Sequence, residues 1–162
     1  MPTPYARYVG DQDPVALLAS TLEEYRAVVG RMSPALWNQP WEPGKWTLRQ
    51  ILVHVTQWEM IFSIRLLCGL SMPSFAIQPI DQDRLMDRTA RIDGPTAFAA
   101  LDSSRRMSLG LIQDLSPADR GITISHPEYG VITANDLIVQ MAGHGIHHLK
   151  QIQSVVGSAG QA

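Results

Sequence analysis

The sequence predicts an all-α protein, a four-helix bundle with a long crossover between the second and third helices. Three observations support this prediction. Apolar residues recur at helical spacing in four segments, each segment opens on a capping signal, and a long connection separates the second segment from the third. That connection has about 25 residues, whereas roughly 2–8 are usual between adjacent antiparallel helices. Its length favours a crossover over a simple up-down-up-down order.

The first two helices are defined by their N-caps. Asp13, followed by Pro14 at the first helical position, starts a helix that continues to about Met32. Thr47 and Gln50, three residues apart, form a capping box that opens the second helix, which runs to about position 67. Since this second helix is apolar around most of its circumference, we expect it to lie in the centre of the bundle.

The remaining segments follow the same logic. They are a polar lead-in over residues 1–12, a short surface helix within 81–92, a third long helix from Asp93 to about Leu115, a small β-hairpin within 122–132 and a last helix from Thr133 to Gly157. The hairpin is predicted because apolar and polar residues alternate before a turn at 127–130. Thr133 with Asp136 is a capping signal like that of the second helix.

Composition and charge limit the class of protein. With 162 residues, 45% of them hydrophobic and 17% charged, the chain suits one globular domain spanning 1–162. The net charge of −2 provides no basic surface for nucleic acid. No uninterrupted apolar run reaches the ~18 residues of a membrane span. A single cysteine excludes an intramolecular disulfide and the N-terminus lacks a signal-peptide pattern, so we expect a cytoplasmic protein.

The last helix holds three of the five histidines. His144 and His148 are four residues apart and project from one face, where two imidazoles can hold a metal ion if a third ligand arrives from elsewhere. His54, on the second helix, is the best candidate for that ligand. His147 points about 100° away from this face and is not expected to be a ligand. Spacing alone leaves hydrogen-bonded core histidines as the competing interpretation.

Three protein ligands would leave positions open on a metal ion, which is typical of catalytic rather than structural sites. A water bound there would have its pKa lowered toward ~7 and supply hydroxide, or a bound thiolate could act as the nucleophile. Gly145 stands where the HExxH metalloprotease helix needs a glutamate. These helices also carry too few glutamates for a di-iron carboxylate site. A mononuclear three-histidine site is the metal pattern that remains.

Several polar residues are given structural positions by their spacing. Arg65 returns to roughly the His54 face three turns later, and we expect Asp81 or Asp83 to provide its carboxylate partner. Three other residues are expected to face solvent, namely Arg105, Arg106 and His126.

The chain resembles the DinB-like family of metalloenzymes over nearly its whole length. The matching segments are Pro43-Gly-Lys-Trp-Thr47, His54, Trp58-Glu59, Phe62, Arg65-Leu-Leu, Asp81-Gln-Asp83 and Ala142–Gln151. The resemblance implies a four-helix bundle with a long crossover, and one divalent metal ion held by His54, His144 and His148. Zn²⁺ is favoured, with Ni²⁺, Fe²⁺ and Mn²⁺ as alternatives. Glu59 matches a recurrent glutamate of the family, and its spacing away from the His54 face favours a structural salt bridge.

Family members with assigned reactions include thiol S-transferases and maleylpyruvate isomerases. The leading hypothesis is therefore a thiol-dependent S-transferase that acts on a small electrophilic molecule, with a low-molecular-weight thiol as cosubstrate. The alternative is a metal-dependent hydrolase that uses metal-bound hydroxide and needs no thiol. A third hypothesis is a non-catalytic module for metal binding or dimerisation. Because family members commonly pair their bundles, a homodimer is also considered.

Overall fold

The computed structural model describes residues 3–159, in which four long helices form a bundle. In chain order the elements are α1 (Ala6–Val9), α2 (Pro14–Val29), α3 (Pro34–Trp37), α4 (Leu48–Ser71), α5 (Gln82–Arg88), α6 (Gly94–Gln113), α7 (Pro117–Arg120), β1 (Thr123–His126), β2 (Gly130–Thr133) and α8 (Ala134–Ala159). The bundle consists of α2, α4, α6 and α8. The all-α class and the four-helix bundle predicted from the sequence are confirmed.

The caps predicted for α2, α4 and α8 are present, and α6 begins where the sequence predicts. Asp13 accepts hydrogen bonds from two first-turn amides of α2, at 3.0 and 3.3 Å. Thr47 and Gln50 form the reciprocal capping box of α4, in which the Thr47 amide donates to Gln50 Oε1 at 2.9 Å. Asp93 caps α6, and Thr133 caps α8. These side chains satisfy amides that have no intrahelical acceptor.

The bundle helices α2 and α4 lie diagonally opposite each other. α4 packs against α6 and α8, and α2 packs against the same two helices. The first two bundle helices in the chain, α2 and α4, are therefore not neighbours in the bundle. The crossover from α4 to α6 contains the short helix α5 within the segment predicted for it. The long connection predicted between the second and third bundle helices is present, and it joins α4 to its neighbour α6. Because the diagonal pair is α2 and α4, the order differs from a simple up-down-up-down bundle.

One face of α4 remains outside the core. By length and composition alone α4 could cross a membrane, since its most apolar window has a mean hydropathy of 1.3. The expectation that no segment is long and apolar enough for a membrane span is corrected accordingly. However, 61% of that window is buried inside the bundle, as in an ordinary core helix. Met60, Ile64 and Leu67 are 48%, 59% and 45% exposed. The predicted central position is thus wrong for this face, because each helix of a four-helix bundle keeps an outward side.

A buried ion pair lies at the centre of the bundle. The Arg105 guanidinium donates two hydrogen bonds to the Glu59 carboxylate, each 2.7 Å long, and the two side chains are 1% and 2% exposed. It also donates to the Leu18 carbonyl oxygen of α2, at 2.9 Å. The structural salt bridge predicted for Glu59 is confirmed. The solvent-facing position expected for Arg105 is wrong, because Arg105 follows buried Leu101 by one turn and shares its inward face.

Arg106, the next residue along α6, lies on the outer surface as predicted. Its side chain is 63% exposed, and its guanidinium contacts the Asp102 carboxylate one turn earlier at 3.1 Å. The two neighbouring arginines of α6 therefore occupy opposite environments. This difference follows from the helical rotation of about 100° per residue.

Arg65 does not pair with Asp81 or Asp83, so that prediction is wrong. The Asp81 carboxylate instead caps α5 by accepting from two first-turn amides, at 3.1 and 3.0 Å, and Asp83 is exposed in the same turn. Arg65 Nη2 donates to the Gln78 carbonyl oxygen at 2.9 Å. Its guanidinium carbon lies 5.3 Å from the centre of the Trp58 ring. The first-turn amides of α5 have no intrahelical acceptor, and they lie within reach of the Asp81 carboxylate. Asp81 therefore binds these amides instead of Arg65.

The predicted hairpin is present, with β1 and β2 antiparallel and Ile124 opposite Ile132. Both isoleucines are buried, at 1% and 2% exposure. His126, at the end of β1, is 8% exposed, so its predicted exposure to solvent is wrong. Its Nδ1 accepts hydrogen bonds from the amides of Glu128 and Tyr129, at 3.1 and 3.3 Å. The turn folds back over the imidazole and shields it.

The N-terminal segment packs onto the bundle instead of forming the lead-in predicted for residues 1–12, of which 1 and 2 lie outside the described part. α1 lies along α8, and Val9 is 2% exposed. The segment approaches α8 closely at Gly143, where a Cβ atom would collide with the Tyr5 carbonyl oxygen. Glycine at this position therefore allows the Tyr5 backbone to touch the helix.

Arg105→Met should destabilise the bundle strongly, because Glu59 would stay buried without its partner. Removing one member of a buried ion pair costs roughly 3–5 kcal/mol, which urea denaturation would measure. Arg106→Met is the matched control and should lose far less, since an exposed pair contributes little. Glu59→Leu combined with Arg105→Met should recover part of the loss. Equal losses for the two single arginine variants would contradict this account.

Gly143→Ala should displace the N-terminal segment without unfolding the bundle, because the added methyl group meets the Tyr5 backbone. Alanine favours a helix over glycine by about 1 kcal/mol, so α8 itself is not weakened. Limited trypsin digestion with mass spectrometry should show faster cleavage after Arg7. In the control Gly110→Ala the methyl group meets nothing within 4 Å, and cleavage should match wild type. Unchanged cleavage in Gly143→Ala would show that the segment does not depend on this contact.

Candidate metal centre

The three histidines singled out by the sequence meet where α4 packs against α8. His54 projects from α4, and His144 and His148 project from successive turns of α8. Their exposed fractions are 3%, 4% and 6%. Each histidine offers one ring nitrogen, and the three nitrogen atoms lie within 4.8 Å of one another. Helical spacing accounts for the pair on α8, and the packing of α4 against α8 adds the third imidazole.

Hydrogen bonding shows which nitrogen atoms are free to bind an ion. The Nε2 atoms of His54 and His144 lie 3.1 Å apart. His148 Nδ1 lies 2.7 Å from Gln151 Oε1, and since that oxygen only accepts, Nδ1 carries the proton and Nε2 carries a lone pair. This Nε2 is buried without a partner in the described part of the chain. Gln151 therefore sets the tautomer of His148 and directs Nε2 as a ligand would need.

Burial keeps the three imidazoles neutral. Burial, reinforced by His148 and His147, lowers the pKa of His54 to about 3. Burial also lowers the pKa of His148 to about 4, although the hydrogen bond to Gln151 raises this pKa in part. The pKa of His144 lies well below its ordinary value because of burial, the neighbouring histidines and Arg105. Neutral imidazole is the form that binds metal ions, so the protonation state suits a ligand role.

The donor set fits a divalent transition metal ion. A buried polar atom without a partner costs on the order of 1–3 kcal/mol, and within the described part of the chain His148 Nε2 is such an atom. A metal ion at the meeting point of the three rings would satisfy the converging lone pairs together. Three imidazoles suit Zn²⁺, Ni²⁺ or Fe²⁺, whereas Mn²⁺ prefers oxygen ligands and fits this donor set least well.

His147 lies beside this group but is held away from it. Its Nδ1 lies 2.7 Å from the Tyr8 hydroxyl of α1. Its ring nitrogens do not belong to the converging set formed by the other three histidines. The geometry therefore agrees with the expectation that His147 is not a ligand, and gives it a role in attaching α1 to α8.

Aromatic rings surround the histidines and keep their environment apolar. The Trp46 ring centroid lies 4.8 Å from that of His54, and the Trp58 centroid lies 6.0 Å from that of His144. Tyr5, in the N-terminal segment, stands edge-on to His144 at 5.1 Å. These rings limit the access of water, which is the physical cause of the low imidazole pKa values.

Two cavities reach the histidines at different points. One has a volume of about 190 Å³ and reaches His144. The other has a volume of about 290 Å³ and reaches His148 beside the loop that carries Trp41 and Trp46. The residues of the first cavity that bear on its chemistry are Tyr5, Trp58, Phe62, Arg65, His126 and Gln140. A small molecule in either cavity would lie next to the imidazole group.

Sequence reasoning misses three residues of this region, namely Tyr5, His126 and Gln140. Gln140 precedes His144 by four residues, so helical spacing places it on the same face and could have identified it. Tyr5 and His126 reach the cavity because the N-terminal segment and the hairpin pack against the bundle. No local pattern in the sequence indicates those contacts. Arg65, predicted as a structural residue, also lines the cavity.

The sequence is similar to a known family and to several known proteins. A model of the DinB superfamily matches residues 17–152. A protein of Oceanobacillus iheyensis named "putative metal-dependent hydrolase" is 32% identical over 115 residues, which cover 69% of this chain and 66% of that protein. A protein of Bacillus mycoides with the same description is 31% identical over 121 residues, or 73% and 69% of the two chains. The match thus spans about two thirds of these relatives.

Two solved structures share the fold. YfiT from Bacillus subtilis, described as a probable metal-dependent hydrolase with an unusual four-helix bundle topology, has a TM-score of 0.82 and 21% identity, with coverage of 91% of this chain and 86% of YfiT. TT2238, described as a four-helix bundle protein, has a TM-score of 0.64 and 22% identity, with coverage of 86% and 95%. At these identities the likeness shows the fold alone. Since the family model covers most of the sequence, the chain belongs to the DinB superfamily.

Proposed function

We propose that this protein is a metal-dependent hydrolase of small molecules, in which His54, His144 and His148 hold one divalent transition metal ion. The observation that carries the proposal is the convergence of three buried imidazoles, one of which has an Nε2 with no hydrogen-bond partner among residues 3–159. The descriptions of the Oceanobacillus and Bacillus relatives support the hydrolase class. Zn²⁺ is the favoured ion, because it accepts three imidazoles and leaves a coordination position open.

A bound metal ion would supply a Lewis acid for a substrate carbonyl group and a water molecule of lowered pKa. The residues of the chain prepare the site for that chemistry. Gln151 holds the Nδ1 proton of His148, and Tyr5 and Trp58 exclude bulk water from His144. Gln140 Oε1 is buried without a partner in the described residues and lines the cavity, where it can orient a substrate by hydrogen bonding.

The thiol-dependent S-transferase, which the sequence favoured, has less support than the hydrolase. The relatives described above carry hydrolase names, and those names mention no thiol. A requirement for a thiol separates the two reactions. The cavity next to His144 favours catalysis over a purely structural or dimerisation role for the metal. A cytoplasmic location, a homodimer and the lack of nucleic-acid and membrane partners stay predictions.

The hydrolase is tested by offering small esters and amides to zinc-loaded protein without any thiol. Wild type should turn over at least one substrate class, and His148→Ala should fall to the uncatalysed rate. The same assays with a low-molecular-weight thiol and an electrophile form the second arm. Turnover only in that arm would favour the S-transferase. No turnover in either arm would favour the non-catalytic module.

Elemental analysis should find about one transition metal ion per chain in wild type. His148→Ala should retain much less, because it removes one of three ligands. His147→Ala is the matched control from the neighbouring position and should keep the metal, since its ring bonds to Tyr8. Metal at 100 times its Kd should stabilise the wild type by about 2.7 kcal/mol, measured by urea denaturation. Equal metal retention in both variants would exclude His148 as a ligand.

The metal-free protein should lose stability as the pH falls from about 6.5 to about 5. The folded-state pKa values of His54 and His148, about 3 and about 4, lie below the value of an unfolded imidazole. The unfolded state therefore binds more protons throughout this interval, and each group contributes a slope of up to about 1.4 kcal/mol per pH unit. This stability is complete above about pH 6.5 and declines toward the folded-state values.

Urea titrations of the metal-free protein across this interval provide the measurement. His54→Asn should show a shallower dependence on pH than wild type, because it removes one titrating imidazole. Carboxylates change the free energy of unfolding mainly below about pH 4, so their contribution lies outside the pH interval in which the histidines are measured. An identical slope in the variant would show that His54 is not held neutral by the fold.

A further inference from the structure

The cavity beside His144 extends along the Trp58 ring to Arg65. The Trp58 centroid lies 6.0 Å from the His144 ring centroid, and the Arg65 guanidinium carbon lies 5.3 Å from the same Trp58 centroid. Arg65 follows Trp58 by two helical turns, and its long side chain leans back toward the N-terminus of α4 and over the ring. A ligand lying along Trp58 would therefore reach the imidazole group at one end and Arg65 at the other.

Arg65 is a cation without a carboxylate partner. The residue is 8% exposed, and Nη2 donates to the Gln78 carbonyl oxygen. None of the salt bridges within residues 3–159 involves Arg65. A guanidinium carries five N–H donors, and the hydrogen bond to Gln78 uses one of them among the residues that the structure describes. Burial lowers the pKa of Arg65, and Glu128 partly offsets this effect. A cation in such a partly desolvated position gains most from a directly bound anion.

Other polar groups line the same cavity and also lack partners. Trp58 Nε1 is a buried donor and Gln140 Oε1 is a buried acceptor. Neither atom has a hydrogen-bond partner among the described residues. Gln140 is 7% exposed. His126 accepts two backbone hydrogen bonds at Nδ1, so its proton lies on Nε2 and is available as a donor. Buried polar groups are normally satisfied, so unpaired ones grouped around a cation indicate a ligand site.

We infer that Arg65 binds a carboxylate of the substrate, and that the preferred substrates are small esters or amides bearing a carboxylate near the scissile bond. The planar guanidinium fork matches a carboxylate in two parallel hydrogen bonds. Hydrolysis adds one water molecule across the ester or amide bond and releases an acid with an alcohol or amine. The inference rests on the proposed function, because it names the substrate class of the same cavity.

Glu128 is the negatively charged residue on the wall of this cavity. It lies on the exposed hairpin turn and forms no salt bridge with Arg65. Arg65 therefore stays available, while the Glu128 carboxylate would repel a substrate carboxylate. Glu128→Gln should consequently bind an anionic ligand at least as tightly as wild type does.

The test uses benzoate and benzamide, which differ in charge but hardly in shape, titrated into zinc-loaded protein by isothermal calorimetry. Wild type should bind benzoate about tenfold more tightly than benzamide, and Arg65→Gln should abolish this preference. Arg65→Lys should keep part of it, because lysine retains the charge without the planar fork. Arg84→Gln on α5 makes the same charge change on an exposed residue, and should behave as wild type.

Circular dichroism first shows that every variant is folded, and zinc content shows that the Arg65, Glu128 and Arg84 variants are loaded. A wild-type preference in Arg65→Gln, or weaker benzoate binding in Glu128→Gln, would overturn the assignment. The titrations are repeated in His148→Ala, which should retain little zinc, so a preference for benzoate that persists there cannot come from an anion bound to the metal. An Arg65-dependent preference without turnover by any variant would support the subsite and reject the hydrolase. Turnover without that preference would reject the subsite and leave the hydrolase in place.

Discussion

The buried pair of Arg105 and Glu59 holds the four bundle helices in register. Arg105 belongs to α6 and donates to Glu59 of α4 and to the Leu18 carbonyl oxygen of α2. The fourth helix, α8, approaches the same guanidinium at Gly145, where an added Cβ atom would lie 3.3 Å from Arg105 Nη2. A buried guanidinium needs all of these partners, because each one lost leaves an unsatisfied charge or donor. The helices therefore cannot shift independently of one another.

The candidate metal centre depends on the same contact. Glu59 follows His54 by five residues on α4, and Gly145 is adjacent to His144 on α8. The spacing between α4 and α8 is thus set directly beside the histidines. Tyr25 of α2 donates to the Gly145 carbonyl oxygen at 2.8 Å and holds α8 from the other side. The positive charge of Arg105 also contributes to the low pKa of His144. The ion pair therefore supports both the position and the protonation state of the imidazoles.

The two parts of the site come from different kinds of structure. The three histidines lie on long, well-packed helices, which hold ligand atoms precisely. The cavity beside His144 also takes walls from the N-terminal segment and the hairpin, represented by Tyr5 and His126. Segments outside the bundle can vary without disturbing the helices. The proposed metal ligands and the proposed substrate cavity therefore depend on different parts of the fold.

The sequence by itself determined the features that depend on neighbouring residues. The capping box of Thr47 and Gln50, the helical spacing of His144 and His148 and the alternation in the hairpin all act within a few residues. The partners of charged side chains depended on tertiary structure. Arg105 binds Glu59, which is 46 positions away, and Arg65 binds a carbonyl oxygen instead of a nearby aspartate. Helical periodicity gives the face on which a residue lies, but packing decides what that face meets.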